Sequence, residues 1–226
     1  MRFDIITIFP EIFDSYFSET ILKRAQQKKL IEIKVHDLRD YTADKHKTVD
    51  DKPYGGGPGM TLKIEPLVRA VQTAKSKIYP EQSRRVILFS AGGKQFDNKM
   101  AKQLAKNYEQ LILICGRYEG VDERIKKVIR NWKLEIGELS IGPYILTGGE
   151  IPAMVLVDAI SRQIPGVLGK TESLEENRFG AGLPTYTRPE TFVFRNKKYR
   201  VPKVLLSGNH REIKKWREKH SKLIKN

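Results

Sequence analysis

The sequence predicts an α/β fold with a mostly parallel sheet, and three observations carry that prediction. Apolar runs of strand length alternate with stretches of helical periodicity from Phe3 to about Ile164. The runs "RVILFSA" (Arg85–Ala91) and "QLILICG" (Gln110–Gly116) are apolar almost throughout, as strands covered on both faces are. Glycine turns follow three consecutive strands, "SAGGK", "CGRYEG" and "LTGGE", where such sheets connect strand to helix.

Taken in order, "FDIITIF" reads as the first strand, and Pro10 suits the first turn of a helix running to about Lys28. "IEIKVHDL" alternates apolar and polar residues, a half-buried strand. Arg39 to Thr61 reads as a long loop. Ile64, Leu67, Val68 and Val71 share one helical face. The strand "RVILFSA", the helix "DNKMAKQLAKN" and the strand "QLILICG" follow. Val121, Ile125, Val128, Ile129 and Trp132 form the next helical stripe. A less regular strand region, "LEIGELSIGPYIL", leads to the helix "EIPAMVLVDAISRQI". Beyond Pro165 the pattern dissolves into glycine, proline and charge until about Val204, and a basic helix, "REIKKWREKHSKLIK", ends the chain. The expected division is a domain over 1–164, a linker over 165–185 that is flexible without a partner, and a small basic helical domain over 186–226.

The 226 residues include 42 Lys+Arg against 27 Asp+Glu, a formal net charge of +15. Twelve cations and two glutamates fall between Phe194 and Asn226, so +10 of that charge sits on the C-terminal stretch. A basic arm on a nearly balanced body predicts a polyanionic partner, nucleic acid before membrane. The opening "MRFDIITIFP" lacks signal-peptide anatomy, and no run reaches membrane-spanning length. Cys115 is the only cysteine, so no disulfide forms within the chain; it reads as a small buried hydrophobe, and a reducing cytoplasm fits. His36, His46, His210 and His220 show no metal-ligand spacing.

Ligands of open parallel sheets bind outside the carboxyl ends of the strands, where glycine lets backbone groups approach closely. Three such turns together predict a small-molecule site. It is not a phosphate cradle: no GxGxxG follows the first strand, and "GVLGKT" has the wrong spacing and follows a helix. A ligand held by backbone loops fits S-adenosylmethionine, but also adenosine, amino acids and many metabolites. The loop "HKTVDDKPYGGGPGM" is the other unusual stretch, since a long span without a helix in a compact domain usually has a task.

"TVDDKPYGGGPGM", "ICGRYEGVDER", "SIGPYILTGGEIPAM", "SRQIPGVLGK", "YTRP" and "VLLSGNH" stand in the order and approximate spacing of the bacterial tRNA (guanine-N(1))-methyltransferase family (TrmD), of the SPOUT superfamily. The chain resembles that family over nearly its whole length, although its linker is shorter than in most relatives and its C-terminal domain is shortened. The resemblance implies a SPOUT-type sheet with a deep C-terminal trefoil knot, a homodimer, and methyl transfer from S-adenosylmethionine to ring nitrogen 1 of the guanosine 3′ of the tRNA anticodon, with Mg2+ as a further candidate cofactor. It places the cofactor bent in the knot. The implied contacts are Leu88, Phe89, Ser90, Ala91 and Gly93, then Gly116, Arg117, Tyr118, Glu119 and Gly120, and lastly Ser140, Ile141, Gly142, Pro143, Tyr144, Ile145, Leu146, Gly148, Gly149 and Pro152. These are the three glycine turns that strand order had already singled out.

The chemistry needs a base to remove the guanine proton and a cation to stabilise charge on the exocyclic oxygen. By resemblance the cation is Arg162, and the base is an aspartate within S-x-x-x-D-S-F. Here that stretch is "SLEENRF" (Ser173–Phe179), with Asn177 in the aspartate position and Arg178 in that of a serine. An amide cannot accept the proton at neutral pH. Three accounts stay open: the neighbouring Glu176 takes the proton; Arg162 and water suffice while Asn177 orients the guanine; or the protein is a catalytically impaired or retargeted RNA-binding member of the fold. Asp50, Lys52, Gly57, Arg188 and His210 are the implied RNA contacts.

Overall fold

The computed structural model describes residues 1–75, 78–169 and 182–221. The chain forms two units, Met1–Leu168 and Gly169–Asn226.

The first unit is built on five parallel strands: β1 (Arg2–Thr7), β2 (Glu32–Asp37), β5 (Arg84–Gln95), β6 (Gln110–Ile114) and β7 (Glu135–Ser140), in the spatial order β2-β1-β6-β5-β7. Side chains of a strand alternate between faces, and the core follows that rule. Phe3, Ile5, Ile87, Leu111 and Leu113 pack on one side with α2 (Thr20–Gln27), α4 (Asn98–Asn107) and α6 (Glu150–Ser161). Ile6, Val86, Leu88, Ile112 and Ile114 pack on the other with α3 (Ile64–Ala74) and α5 (Arg124–Asn131). Every residue of β6 is buried, as its unbroken apolar run requires. α4 starts where Asp97 accepts a hydrogen bond from the Met100 N–H at 2.7 Å, an N-cap worth about 1 kcal/mol.

Several elements differ from the sequence-based expectation. The helix expected from Pro10 to Lys28 is three pieces: a 3-10 turn (Pro10–Phe13), the short α1 (Asp14–Phe17) and α2. The break falls where Glu19 is extended and Thr20 has φ of 46°, a conformation that periodicity does not reveal. The long loop contains a 3-10 turn (Leu38–Tyr41) and a minimal hairpin of β3 (Asp50–Asp51) with β4 (Thr61–Leu62).

The largest difference is at β5, which runs on to Gln95. Leu139 of β7 pairs with Phe89 and again with Lys94, and Ser140 pairs with Gln95. Between those registers Gly93 lies against the β7 backbone; a Cβ there would stand 2.7 Å from the Leu139 nitrogen. The chain thus passes across the end of β7. After β7 it returns past β5 to the end of β6, where the Gly149 N–H donates to the Gly116 carbonyl at 3.0 Å before α6 begins.

In the second unit, an antiparallel hairpin of β8 (Thr191–Phe194) and β9 (Lys197–Arg200) precedes α7 (Lys203–Leu206) and α8 (His210–His220). The hairpin stands beside the expected helices and was not itself expected, because neither "TFVF" nor "KKYR" alternates apolar with polar residues. Asn209 caps α8 by accepting from the Arg211 and Glu212 N–H groups. Residues 170–181 of the predicted linker lie outside the described residues.

Candidate active-site cleft

The carboxyl ends of β6 and β7 and the middle of β5 open on one cleft of about 320 Å³, while Gly92 and Gly93 of the expected "SAGGK" turn lie within the strand β5 and do not line it. Seventeen of the twenty residues expected to hold a cofactor line it, from Leu88–Ala91, Gly116–Gly120, Ser140, Ile141, Tyr144–Leu146, Gly148, Gly149 and Pro152. Gly93, Gly142 and Pro143 do not. Gly93 is spent on the crossing over β7, and Gly142 takes part in the turn itself, where its carbonyl accepts from Ser140 Oγ at 2.9 Å and the Tyr144 ring folds over it. Val121, Glu123, Glu138, Leu139 and Thr147 also line the cleft and had not been anticipated. Thr147 was legible as the gap between Leu146 and Gly148; Glu138 was not, since it lies inside β7, before the turn that the glycines mark.

A buried ion pair binds two of the turns together. The Glu150 carboxylate, almost fully buried, accepts from Thr7 Oγ1 at 2.8 Å and from Arg117 Nε at 3.0 Å. Arg117 also donates to the Thr147 carbonyl at 3.3 Å and lies 4.6 Å over the Phe9 ring. It lines the cleft, and its guanidinium is committed to this clamp. On the opposite wall, Lys126 bridges Glu123 at 2.8 Å and Glu138 at 2.6 Å; burial lowers its ammonium pKa, but these two carboxylates together raise it above its ordinary value. Cys115, beneath the Gly116 turn, is fully buried, and desolvation pushes its thiol far up, which leaves it an inert core residue.

The glycine loop roots in the same wall. The Glu119 N–H donates to the Met60 carbonyl at 3.0 Å, and the Leu62 N–H to the Gly120 carbonyl at 3.0 Å. Gly59, at φ of +85°, leaves room for the Glu119 carboxylate, which would stand 2.5 Å from a Cβ. Gly55, Gly56 and Gly57 all have positive φ and form an open tip beside the fully exposed Tyr54. Asp50 is half-buried at the hairpin base, and Lys52 and Gly57 are exposed beyond it. Arg188 and His210, both exposed, belong to the second unit.

Arg162 stands at the far end of α6 from the cleft, half-buried, its N–H donating to the Asp158 carbonyl. The twelve residues of α6 span roughly 18 Å. Glu176 and Asn177 lie outside the described residues. Among the described residues, no group of three or more His, Cys, Asp or Glu is placed to hold a metal ion, and no helix is long and apolar enough to cross a membrane.

A family model described as tRNA (Guanine-1)-methyltransferase TrmD matches residues 1–225. Among curated relatives named tRNA (guanine-N(1)-)-methyltransferase, one from Dictyoglomus turgidum is 52% identical over 224 residues, 98% of this chain and 85% of the relative. One from Geotalea uraniireducens is 50% identical over 98% of this chain and 85% of the relative. One from Thermomicrobium roseum is 49% identical over 96% of this chain and 77% of the relative.

Proposed function

This chain belongs to the tRNA (guanine-1)-methyltransferase TrmD family, and from that premise we propose that it transfers methyl from S-adenosylmethionine to nitrogen 1 of the guanosine 3′ of the anticodon in tRNA. The observation that carries this reading is the convergence of the glycine turns after β6 and β7 with the Leu88–Ala91 stretch of β5 on one cleft. The cleft suits the cofactor: Gly116, Gly120, Gly148 and Gly149 offer backbone groups to it, Leu88, Val121 and Leu139 add apolar surface, and three carboxylates, Glu119, Glu123 and Glu138, against the single Lys126 ammonium that bridges two of them leave it net acidic, which favours a cation. When bound, S-adenosylmethionine supplies an electrophilic methyl group. Assignment of Mg2+ rests on the resemblance alone.

The chain's own residues have two tasks at the guanine. Glu176 takes the proton from nitrogen 1, and Asn177 beside it orients the ring by hydrogen bonding. Arg162 places its guanidinium against the exocyclic oxygen as negative charge develops there. One chain holds Arg162 a helix length from its own cleft, which supports a homodimer in which a second copy completes the site. The outer face of α6 supports it too: Ile151 and Val155 are exposed, as are Ile12 and Tyr16 on the neighbouring turns. An exposed apolar patch on a helix whose other side is already buried is suited to being covered. The crossing of β5 over β7 and the return of the chain to β6 support the deep trefoil knot. The single cysteine fits a cytoplasmic protein, and the C-terminal charge fits RNA.

Replacing Glu176 by Gln tests the assignment. The expected result is loss of turnover on a tRNA transcript by at least about a hundredfold with cofactor affinity unchanged in calorimetry. An unaltered rate would move the proton to water beside Arg162. Asn177 also favours a second reading, an impaired or retargeted RNA-binding protein; a wild-type chain inactive on tRNA but active as Asn177→Asp would establish it.

A further inference from the structure

The β8–β9 hairpin buries neither of its faces. Its register sets Phe192 opposite Tyr199 and Phe194 opposite Lys197. By strand alternation, Phe192, Phe194 and Tyr199 share one side. The Phe192 ring lies 6.3 Å from Phe194 at an interplanar angle of 9°, and 6.4 Å from Tyr199. All three rings are more than half exposed, at 55%, 53% and 53%, and Val193 on the reverse side is 54% exposed. A two-stranded hairpin without a covered face is marginal in water, so this one is shaped for something that covers it.

Charge identifies the occupant. Between Thr191 and Arg200 stand Arg195, Lys197, Lys198 and Arg200, with no acidic residue. The turn residues Arg195 and Asn196 both have positive φ, at 45° and 60°, and the Arg195 guanidinium lies 5.3 Å over the Phe194 ring. Lysine is depleted from the centres of protein interfaces. A row of flat rings edged by cations suits unpaired nucleotides, whose bases stack while their phosphates meet the charges. We propose that the Phe192–Phe194–Tyr199 face is a stacking platform for unpaired RNA bases, which in the function proposed above are those of the tRNA substrate. The inference rests on that function only for the identity of the RNA.

The test uses the full chain and three forms: wild type, the triple variant Phe192→Ala/Phe194→Ala/Tyr199→Ala, and the ring-preserving Phe192→Tyr/Phe194→Tyr/Tyr199→Phe. Each is titrated across a salt series with a labelled tRNA transcript and with a fully paired RNA duplex. The alanine triple should bind the transcript at least about tenfold more weakly and the ring-preserving triple as wild type does. Duplex affinity and the slope of log affinity against log salt should stay unchanged, because stacking releases no counterions. If the alanine triple unfolds by circular dichroism, Phe194→Ala alone carries the test, with a loss of about fivefold. Equal transcript affinity in all forms overturns the proposal. So does equal loss on the duplex, and so does a fall in oligomer mass with transcript affinity intact, which would make the face a protein interface. Methyl transfer to the same transcript is read in parallel. Its absence from wild type beside a clear ring effect would sink the methyltransferase reading and leave the platform standing; transfer without a ring effect would sink the platform alone.

Discussion

Glu119 sits where the glycine loop meets the cleft, and its placement depends on a residue with no side chain. An alanine at Gly59 meets both a backbone at φ of +85° and the Glu119 carboxylate at 2.5 Å. Gly59→Ala is therefore expected to weaken S-adenosylmethionine binding by about tenfold, about 1.4 kcal/mol, measurable by calorimetry. Farther from the site, Asp4 is fully buried between Arg2, His36 and Gln110, at 2.8, 2.8 and 2.6 Å. Burial pushes its carboxyl up, but the hydrogen bonds from His36, Arg2 and Gln110 together hold it below the ordinary range. Its folded value therefore lies below the unfolded one, so the carboxylate contributes stability above about pH 4 and loses it as pH falls through the folded value. Denaturant midpoints followed down to about pH 2 should show that loss, and Asp4→Asn should flatten it while costing about 3 kcal/mol at neutral pH. Of these residues, Glu119 was legible within "GRYEG", because a long motif fixes its place. Asp4 was legible only as an interruption in an apolar strand, since partners 32 and 106 residues away leave no mark on local sequence.

Two connections decide how the turns after β6 and β7 face the Leu88–Ala91 stretch of β5. The Thr7–Glu150–Arg117 clamp ties the end of β1 to the turn after β6 and the start of α6. Glu150→Gln leaves the Arg117 guanidinium without its carboxylate and is expected to cost about 3 kcal/mol and to weaken cofactor binding, read by a denaturant melt and a titration on one sample. The other connection is the crossing at Gly93, where any Cβ strikes backbone that cannot turn aside. Gly93→Ala should lower the unfolding midpoint more than Gly92→Ala, whose Cβ would meet only the Ser90 hydroxyl, at 4.0 Å. The strand ends and their glycine turns could be read in the sequence because strand order and turn composition are local properties. The crossing could not, since it pairs one residue of β7 with two registers of β5, and hydropathy records neither. The basic hairpin of the second unit stayed hidden for a related reason: "TFVF" and "KKYR" are four residues each, and neither alternates apolar with polar residues.

At the scale of the whole molecule, the proposed homodimer answers the placement of Arg162 and the cleft at opposite ends of α6. Ile151→Glu with Val155→Glu puts charge on the exposed face of that helix and should convert the protein to monomer in sedimentation. Methyl transfer should then fall by at least about a hundredfold while the cleft still binds S-adenosylmethionine. A hydrogen bond from the Tyr16 hydroxyl to Asp158 borders this face and, with burial, pushes the Tyr16 pKa up to about 12, so the tyrosine stays neutral across the working pH range. The family, and with it the expectation of a homodimer, was legible in six long motifs; the helix face proposed to carry that homodimer was not, because an exposed isoleucine on a helix gives the same letters as a buried one. The most direct test is to incubate the wild-type chain with labelled S-adenosylmethionine and an unmodified tRNA transcript carrying guanosine 3′ of the anticodon, then identify the labelled nucleoside. The account predicts 1-methylguanosine at that position and none when it is changed to adenosine. Label on another nucleoside, or none although cofactor and tRNA both bind, would contradict it.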